Sequence, residues 1–436
     1  MEQHTLPIEE PSLFDQLCAT ETLLLAFKEV RRNKGAPGVD GVTITAFEAN
    51  LNKELAQLEM DLKSWDYKPG PVKRVDIPKP GGGTRMLGIP QIRDRVVQAG
   101  IKLLLEPTLE QQFSKNSFGF RPGRNQRQAV EQARRIVETG KPYVVDIDLS
   151  KFFDRINHDR LISQLAALIT DKRILRLIGM TLRSGIMKDG IVTSTTEGTT
   201  QGSPLSPLLS HLVLDRLDKE LERRGLEFCR FADDCNIFVS SQKAAERVML
   251  SVCKFIENKL KLVVNPEKSQ VALSHQVKFL GMTIVNSAIA ISKKAIDHAL
   301  TKVKELTPRG TSSTIRDTVR KINLWYRGWS SYHSMTQYPA QLRKIEAHIR
   351  RRLRSRLVSQ QKRRRYLYNK LIKRGVKSKT AYRAVYSNRQ RWALSHTVAV
   401  ERAYSNRWFE DEIGLFIRSK DKLPHWFELN QWVHLS

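Results

Sequence analysis

The chain has 436 residues, a hydrophobic share of 40%, and 74 Lys/Arg against 45 Asp/Glu, for a net charge of +29. That length allows two to four substructures around a sizeable core. The charge suits a polyanion, nucleic acid before an anionic membrane surface, with a merely basic soluble protein as the plain alternative. No run approaches the roughly 18 apolar residues of a membrane span, and the N-terminus lacks a basic-then-apolar signal pattern, so no spanning or secreted form is expected.

Charge is unevenly spread. Residues 341–436 carry 24 Lys/Arg against 7 Asp/Glu, and the first 340 carry 50 against 38. The chain therefore reads as a mixed-charge, enzyme-like part followed by a basic appendage. Its cysteines, Cys18, Cys229, Cys235 and Cys253, include no C-x-x-C spacing, which argues against zinc and for reduced, packed thiols.

In chain order, apolar spacing predicts helices over 12–34 and 44–66, separated by the glycine-rich turn Asn33–Gly41. Residues 67–90 predict a hairpin around Gly81-Gly82-Gly83, carrying Lys73, Arg74, Lys79 and Arg85. Helix follows over 91–112, a strand over 143–149 and a helix over 158–169. A helix is expected over 203–224 with Pro204 near its start. Then come a hairpin over 227–240, a helix over 243–261, short strands around 270–285 and two or three helices over 292–335. Residues 341–380, with 16 Lys/Arg and one acid, predict helix too basic to pack on all sides. Without a βαβ rhythm, the fold class is α+β.

The run CRFADDCNIFV (229–239) sets two acids in an apolar, β-prone stretch. Either they form a plain turn on a surface hairpin, or a divalent cation relieves their desolvation and repulsion. On the strand YVVDIDL, Asp146 and Asp148 share a face, because side chains alternate with period two. A second acidic strand end makes a three-carboxylate metal site an option. Such sites hold two Mg²⁺ roughly 3.5–4 Å apart for in-line phosphoryl transfer.

The order acidic strand, QGSPLSP, then aromatic-Ala-Asp-Asp hairpin resembles the palm of reverse transcriptases. In that family the first palm aspartate stands five residues before an aromatic, a spacing met by Asp148 and Phe153 and not by Asp146 and Lys151. The resemblance implies that Asp148, Leu149, Asp233 and Asp234 hold two Mg²⁺, with Asp234 the less strictly bound. Asp146 and Asp154 are expected to be supporting residues. Phe153 is expected to exclude the 2′-hydroxyl and so to favour dNTPs. Gln201 and Gly202 are expected at the nascent pair, with Lys79 and Arg85 on the triphosphate and Lys73 and Arg74 on the template backbone. Lys268, in KLKLVVNPEKS, is the candidate donor of a proton to the leaving pyrophosphate. The family usually has Tyr where this chain has Phe231.

RNKGAPGVDGVTI (32–44), IPKPGGGTRMLGIPQIRDRVVQ (77–98), FGFRPGRNQRQAV (118–130) and FFDRINHDRLI (152–162) narrow the resemblance to group II intron proteins. VKFLGM (277–282) resembles the primer-grip turn, and TIRDTVRKINLWYRGWSSYHSM (314–335) the maturase thumb. Arg121 and Arg124, and on the thumb Arg320, Lys321 and Arg327, are expected to touch nucleic-acid backbone. Of Trp325, Tyr326, Trp329 and Tyr332, at least two are expected to pack inward. The implied architecture is a right-hand polymerase fold with fingers and palm, then an α-helical thumb and a basic helical C-terminal region. Its expected divisions are an N-terminal extension and fingers (1–90), a fingers/palm catalytic domain (91–290), a thumb or maturase domain (291–360) and a basic nucleic-acid-binding region (361–436).

The implied activity is RNA-directed DNA synthesis on intron RNA, with maturase binding that assists splicing and retrohoming. Implied partners are group II intron RNA, a DNA target and primer, and dNTPs, with no membrane. The implied location is the bacterial cytoplasm, and the nucleoid when bound to target DNA. With no cysteine after Cys253 and no His cluster, no nuclease domain or second-strand cleavage is expected. A domesticated relative in defence or repair, or a splicing factor that needs no polymerase activity, are the alternatives.

Overall fold

The computed structural model describes residues 11–78, 83–308 and 310–418. The chain divides into two compact units, residues 1–273 and 274–436.

The first unit begins with four helices: α1 (Leu13–Cys18), α2 (Thr20–Arg32), α3 (Ile44–Ala49) and α4 (Leu51–Lys63). The sequence predicts two continuous helices here. Each is broken, at Ala19 and Asn50, where the backbone leaves the helical region. Both α1 and α2 pack on α5 (Ile92–Glu110), which is why one apolar stripe runs through the break. β1 (Val72–Pro78) and β2 (Thr84–Ile89) form the expected antiparallel hairpin, pairing Lys73 with Ile89 and Pro78 with Thr84.

α6 (Gln126–Glu138) starts on a capping box of Asn125 and Gln128 and buries Ala129, Val130, Ala133, Ile136 and Val137 on one face. It is followed by β3 (Tyr143–Ile147), α7 (His158–Ala166), α8 (Lys172–Leu182), β4 (Ile186–Lys188) and β5 (Ile191–Thr193). Next come α9 (Ser206–Arg223), β6 (Glu227–Phe231), β7 (Asp234–Val239), α10 (Gln242–Phe255) and β8 (Gln270–Leu273). Helix α9 starts later than predicted, with Pro207 rather than Pro204 in its first turn.

Two four-stranded sheets result, in the orders β2-β1-β4-β5 and β6-β7-β3-β8. In the second sheet β3 lies between β7 and β8, both antiparallel to it. Val144, Val145 and Ile147 are all buried, as befits a central strand covered on both faces. Helix α9 buries residues nearly all round, from Leu208 to Leu221, and so runs through the interior.

The second unit opens with the hairpin β9 (Met282–Val285) and β10 (Ala288–Ile291). Its helices are α11 (Lys293–Leu306), α12 (Ile315–His333), α13 (Pro339–Ser359), α14 (Arg364–Lys373), α15 (Ser378–Val385), α16 (Arg391–Leu394) and α17 (Val398–Ala403). The hairpin is tied to these helices by main-chain donation from Ile289 to Gln337 Oε1 (2.6 Å) and from Ile291 to Gln341 Oε1 (2.8 Å). The unit has its own core, including Val303, Ile322, Ile349 and Leu371. Of the α12 aromatics, Tyr326 is fully buried and donates to the buried Glu346 (2.8 Å), and Trp325 and Trp329 pack on the same core. Tyr332 donates to the Leu280 carbonyl at the turn before β9.

Candidate active site

The β6–β7 hairpin pairs Phe231 with Asp234, leaving Ala232 and Asp233 as its two-residue tip. Ala232 has a left-handed backbone (φ 58°), which costs an alanine roughly 1–2 kcal/mol and must be held by its surroundings. The holder is Arg230. Its guanidinium is fully buried and forks onto Asp218 of α9, Nε to Oδ1 at 2.7 Å and Nη2 to Oδ2 at 2.5 Å. The remaining nitrogen, Nη1, donates to the Ala232 carbonyl at 2.7 Å.

The segment 116–119 backs the same strand. The Arg230 amide donates to the Asn116 carbonyl, and the Phe118 amide donates to the Arg230 carbonyl, both at 2.9 Å. A Cβ on Gly119 would lie 2.5 Å from the Ala232 nitrogen, so only glycine allows this approach. The Gly119 carbonyl accepts from His211 Nε2. Burial, and then the charge of Arg230, push His211 down to about 3, so the imidazole is neutral.

Asp148 stands just beyond the Ile147–Cys235 pair, at the end of β3. Its amide donates to Ser269 Oγ (3.1 Å) and its carbonyl accepts from the Asn265 amide (2.8 Å). Leu149 bridges to Val264 and buries its side chain, so only its main-chain oxygen is free to serve as a ligand. Lys268 Nζ lies 3.8 Å from Asp148 Oδ2, with both side chains partly exposed. Burial raises the Asp233 carboxyl above the usual range, and the nearby charge of Asp148 raises it further, against the lowering effect of Arg85 and Arg230. Asp146 lies farther along the strand, accepts from Gln270 Nε2 (3.3 Å), and is likewise raised by burial.

Among the described residues, no three His, Cys, Asp or Glu side chains converge as a ready metal cage. The site instead offers two mutually repelling carboxylates, Asp148 and Asp233, with Asp234 beside the tip. That oxygen-only set fits a hard divalent cation, which takes its other ligands from water and substrate phosphate.

A second wall beside the carboxylates is built by β2 and the turn before α9. The Gly88 amide donates to the Gln201 carbonyl (2.8 Å), and a Cβ on Gly202 (φ 117°) would lie 2.5 Å from the Gly88 carbonyl oxygen. Arg85 Nε donates to Gln201 Oε1 at 2.6 Å, so these two residues form a pair. The Phe153 carbonyl accepts from the Thr199 amide (2.6 Å). Its half-buried ring leans on the core residue Phe152 at 5.2 Å, and both rings line a narrow pocket with Phe120, Pro207 and Ala232. Phe231 lies 6.4 Å from Phe120.

Asp148, Asp233, Phe153, Gln201, Gly202 and Arg85 thus belong to one neighbourhood. Lys79 lies outside the described residues. Lys73 is exposed on β1, and Arg74 pairs with Asp76 at 3.0 Å. Arg121 corrects a sequence expectation. Its side chain is 3% exposed; Nε and Nη2 bind Glu110, and Nη1 donates to the Ser114 and Ser117 carbonyls (2.5 and 2.7 Å). No face remains for a phosphate. Arg124 also turns inward, donating to the Lys115 carbonyl (2.6 Å) and lying over the Phe118 ring. Arg320, Lys321 and Arg327 of α12 are exposed, with Arg320 paired to Asp317 (3.3 Å). Sequence reasoning missed Arg230 and Asp218. The signal was a lone arginine in an apolar strand and an aspartate on the buried face of the preceding helix, α9.

Residues 77–284 match the family model described as Reverse transcriptase (RNA-dependent DNA polymerase). Residues 296–375 match Group II intron, maturase-specific domain. Protein YkfC of Escherichia coli (strain K12) is 33% identical over 291 residues, covering 58% of this chain and 76% of YkfC. The Putative COX1/OXI3 intron 2 protein of Saccharomyces cerevisiae is 33% identical over 248 residues, covering 55% of this chain and 28% of that protein. Group II intron-encoded protein LtrA of Lactococcus lactis subsp. cremoris is 29% identical over 267 residues, covering 61% of this chain and 43% of LtrA. The chain therefore spans less than half the length of the last two.

Proposed function

The chain belongs to the family of group II intron-encoded reverse transcriptases and maturases, and from that premise we propose that it copies group II intron RNA into DNA and binds the same RNA to assist splicing and retrohoming. Reverse transcriptases use divalent metal ions, and Mg²⁺ is the ion we assign here. The reading rests chiefly on Asp148 and Asp233, brought together by adjacent strands β3 and β7 beside the Arg85–Gln201 pair.

In this reading Asp148 and Asp233, with the Leu149 carbonyl and Asp234, hold two Mg²⁺. When bound, these ions activate the primer hydroxyl and stabilise the leaving oxygen. Arg85 grips the triphosphate with a planar fork, assisted by Lys79. Gln201 and Gly202 border the nascent pair, and the glycine admits close approach of backbone. The Phe153 ring fills the space that a 2′-hydroxyl would need, which selects dNTPs. Lys268, an ammonium beside Asp148, donates a proton to the departing pyrophosphate. Lys73 and Arg74 steer the template, while Arg320, Lys321 and Arg327 contact backbone phosphates. We assign the N-terminal extension and fingers to 1–90, the fingers/palm to 91–290, the thumb or maturase domain to 291–360 and a basic nucleic-acid-binding region to 361–436. The substrates imply work in the cytoplasm, on the nucleoid when target DNA is engaged.

The test is extension of a DNA primer on an RNA template with dNTPs and Mg²⁺. Extension by the unaltered chain and its abolition in Asp233→Ala are expected. Extension that persists in Asp233→Ala would refute the mechanism.

A further inference from the structure

The helical unit holds an open cleft of about 680 Å³, bordered by α11, by α13 and by residues 396–407. Helix α13 turns one face to it: Lys344, His348 and Arg351 recur at helical spacing, flanked by Ala347, Arg350 and Arg354. Arg354, 7% exposed, forms a rigid part of the wall. Its Nε donates to the Tyr404 carbonyl and its Nη2 to Asn406 Oδ1, both at 2.9 Å. Among the described residues Glu401 is the only acid in the lining, and it is already engaged by His396 (3.0 Å) and Arg354 (3.9 Å).

Lys344, Arg350, Arg351 and Arg407 make no salt bridge among the described residues. Arg351 lies with its guanidinium carbon 4.3 Å over the Trp392 ring, and its Nε is buried without a hydrogen-bond partner. Burial, and then the charges of Arg352 and Arg351, hold His348 below the usual histidine range, as expected in an unneutralised positive field. Like charges gathered around one concavity repel, and among the described residues of the lining the single acid, Glu401, is already engaged. An anion would. The volume falls in the roughly 300–1,000 Å³ range of ligand pockets, a size for one strand rather than a duplex. Among the described residues no Phe, Tyr or Trp lines the cleft, so they offer no platform for stacking a base. None of the basic residues of α12 lines it either.

We propose that this cleft binds the phosphodiester backbone of a single nucleic-acid strand, without base preference, at a place separate from α12. The inference rests on the nucleic-acid reading above and adds a second, separable contact to it.

The test uses the full chain and fluorescent oligonucleotides of about twelve nucleotides, RNA and DNA of matched sequence. Binding is followed by anisotropy over a salt series, with excess unlabelled template–primer duplex present. Lys344→Gln/Arg407→Gln removes two exposed cations that have no salt bridge, so folding is not at stake. Its slope of log K against log[salt] should be shallower by about 1.4, at about 0.7 per single-strand phosphate contact. The loss should be equal for homopolymer and mixed sequence, and the RNA and DNA arms identify which strand is held. Lys243→Gln/Lys254→Gln on α10, two exposed cations to which no binding role is assigned, should keep the original slope. An unchanged slope in the cleft variant, an equal loss in the α10 variant, or a loss confined to one sequence would each overturn the proposal. Primer extension by the unaltered chain is measured in parallel. Its failure beside a clear slope change refutes the polymerase reading alone, and its success beside an unchanged slope refutes the cleft alone.

Discussion

Arg230 and Arg351 are both drawn towards the interior of their units, yet they end in opposite states. Arg230 meets an aspartate along two hydrogen bonds and uses its last nitrogen to hold the main chain at the Ala232–Asp233 hairpin tip. Arg351 lies on a tryptophan ring and leaves a donor without a partner. The same side chain is thus a strut in one unit and an open binding group in the other. What separates them is the acid supply: α9 brings Asp218 into the core, whereas the α13 cleft has Glu401 alone, and that is taken. A count of arginines cannot tell these cases apart. The partner geometry can, and it makes predictions of opposite kinds.

The largest effect is expected at Arg230. Arg230→Met strands Asp218 as a buried unpaired charge and should lower stability by about 3–5 kcal/mol in denaturant unfolding. The double variant Arg230→Met/Asp218→Leu removes both charges and should recover most of that loss, because buried ion pairs are often replaced by apolar residues at little cost. It does not restore the donor to the Ala232 carbonyl. Its kcat in primer extension should therefore remain well below that of the parent while its unfolding midpoint returns. Recovery of kcat together with stability would show that Arg230 is a strut for the fold and nothing more.

Arg121 sharpens the comparison, because its residue type suggested an open binding group and its geometry makes it a strut. Arg121→Gln should destabilise the chain by about 2–3 kcal/mol, through lost charged hydrogen bonds to Glu110 and two carbonyls. It should leave the salt dependence of oligonucleotide binding unchanged. A shallower salt slope with intact stability would return it to the phosphate-binding class.

These cases mark what the sequence could carry. The hairpin tip at Asp233 was legible because two acids interrupt an apolar, β-prone run, while the preference for Asp148 over Asp146 is an expectation from the family spacing to Phe153. The Arg85–Gln201 pair was half legible: each residue stood out, but their meeting depends on β2 closing against the turn before α9. Arg121 misled because an FRPGR run looks like a basic surface loop, and nothing local says that Glu110, at the end of α5, folds back onto it. The breaks at Ala19 and Asn50 were hidden by apolar stripes that continue across them. The cleft was invisible for the same reason in reverse, since residues 344–354 and 396–407 become one lining only in three dimensions.

His211 gives the smallest effect and reports on the enclosed space beside the two struts. Burial pushes its imidazole down to about 3, and the charges of Arg230 and Arg121 add to that. The group binds a proton more readily in the unfolded chain, where its pKa is about 6.5. Its contribution to stability is therefore full above about pH 6.5 and is lost as the pH falls towards 3. Between pH 7 and pH 5 the loss should be about 2 kcal/mol. His211→Asn, which keeps an N–H for the Gly119 carbonyl, should flatten that part of the profile in urea titrations at each pH. Arg121→Gln should leave that part unchanged, because burial, the larger cause, still holds the folded imidazole far below pH 5. A slope in His211→Asn equal to that of the parent would mean that the folded chain does not hold the imidazole neutral and enclosed.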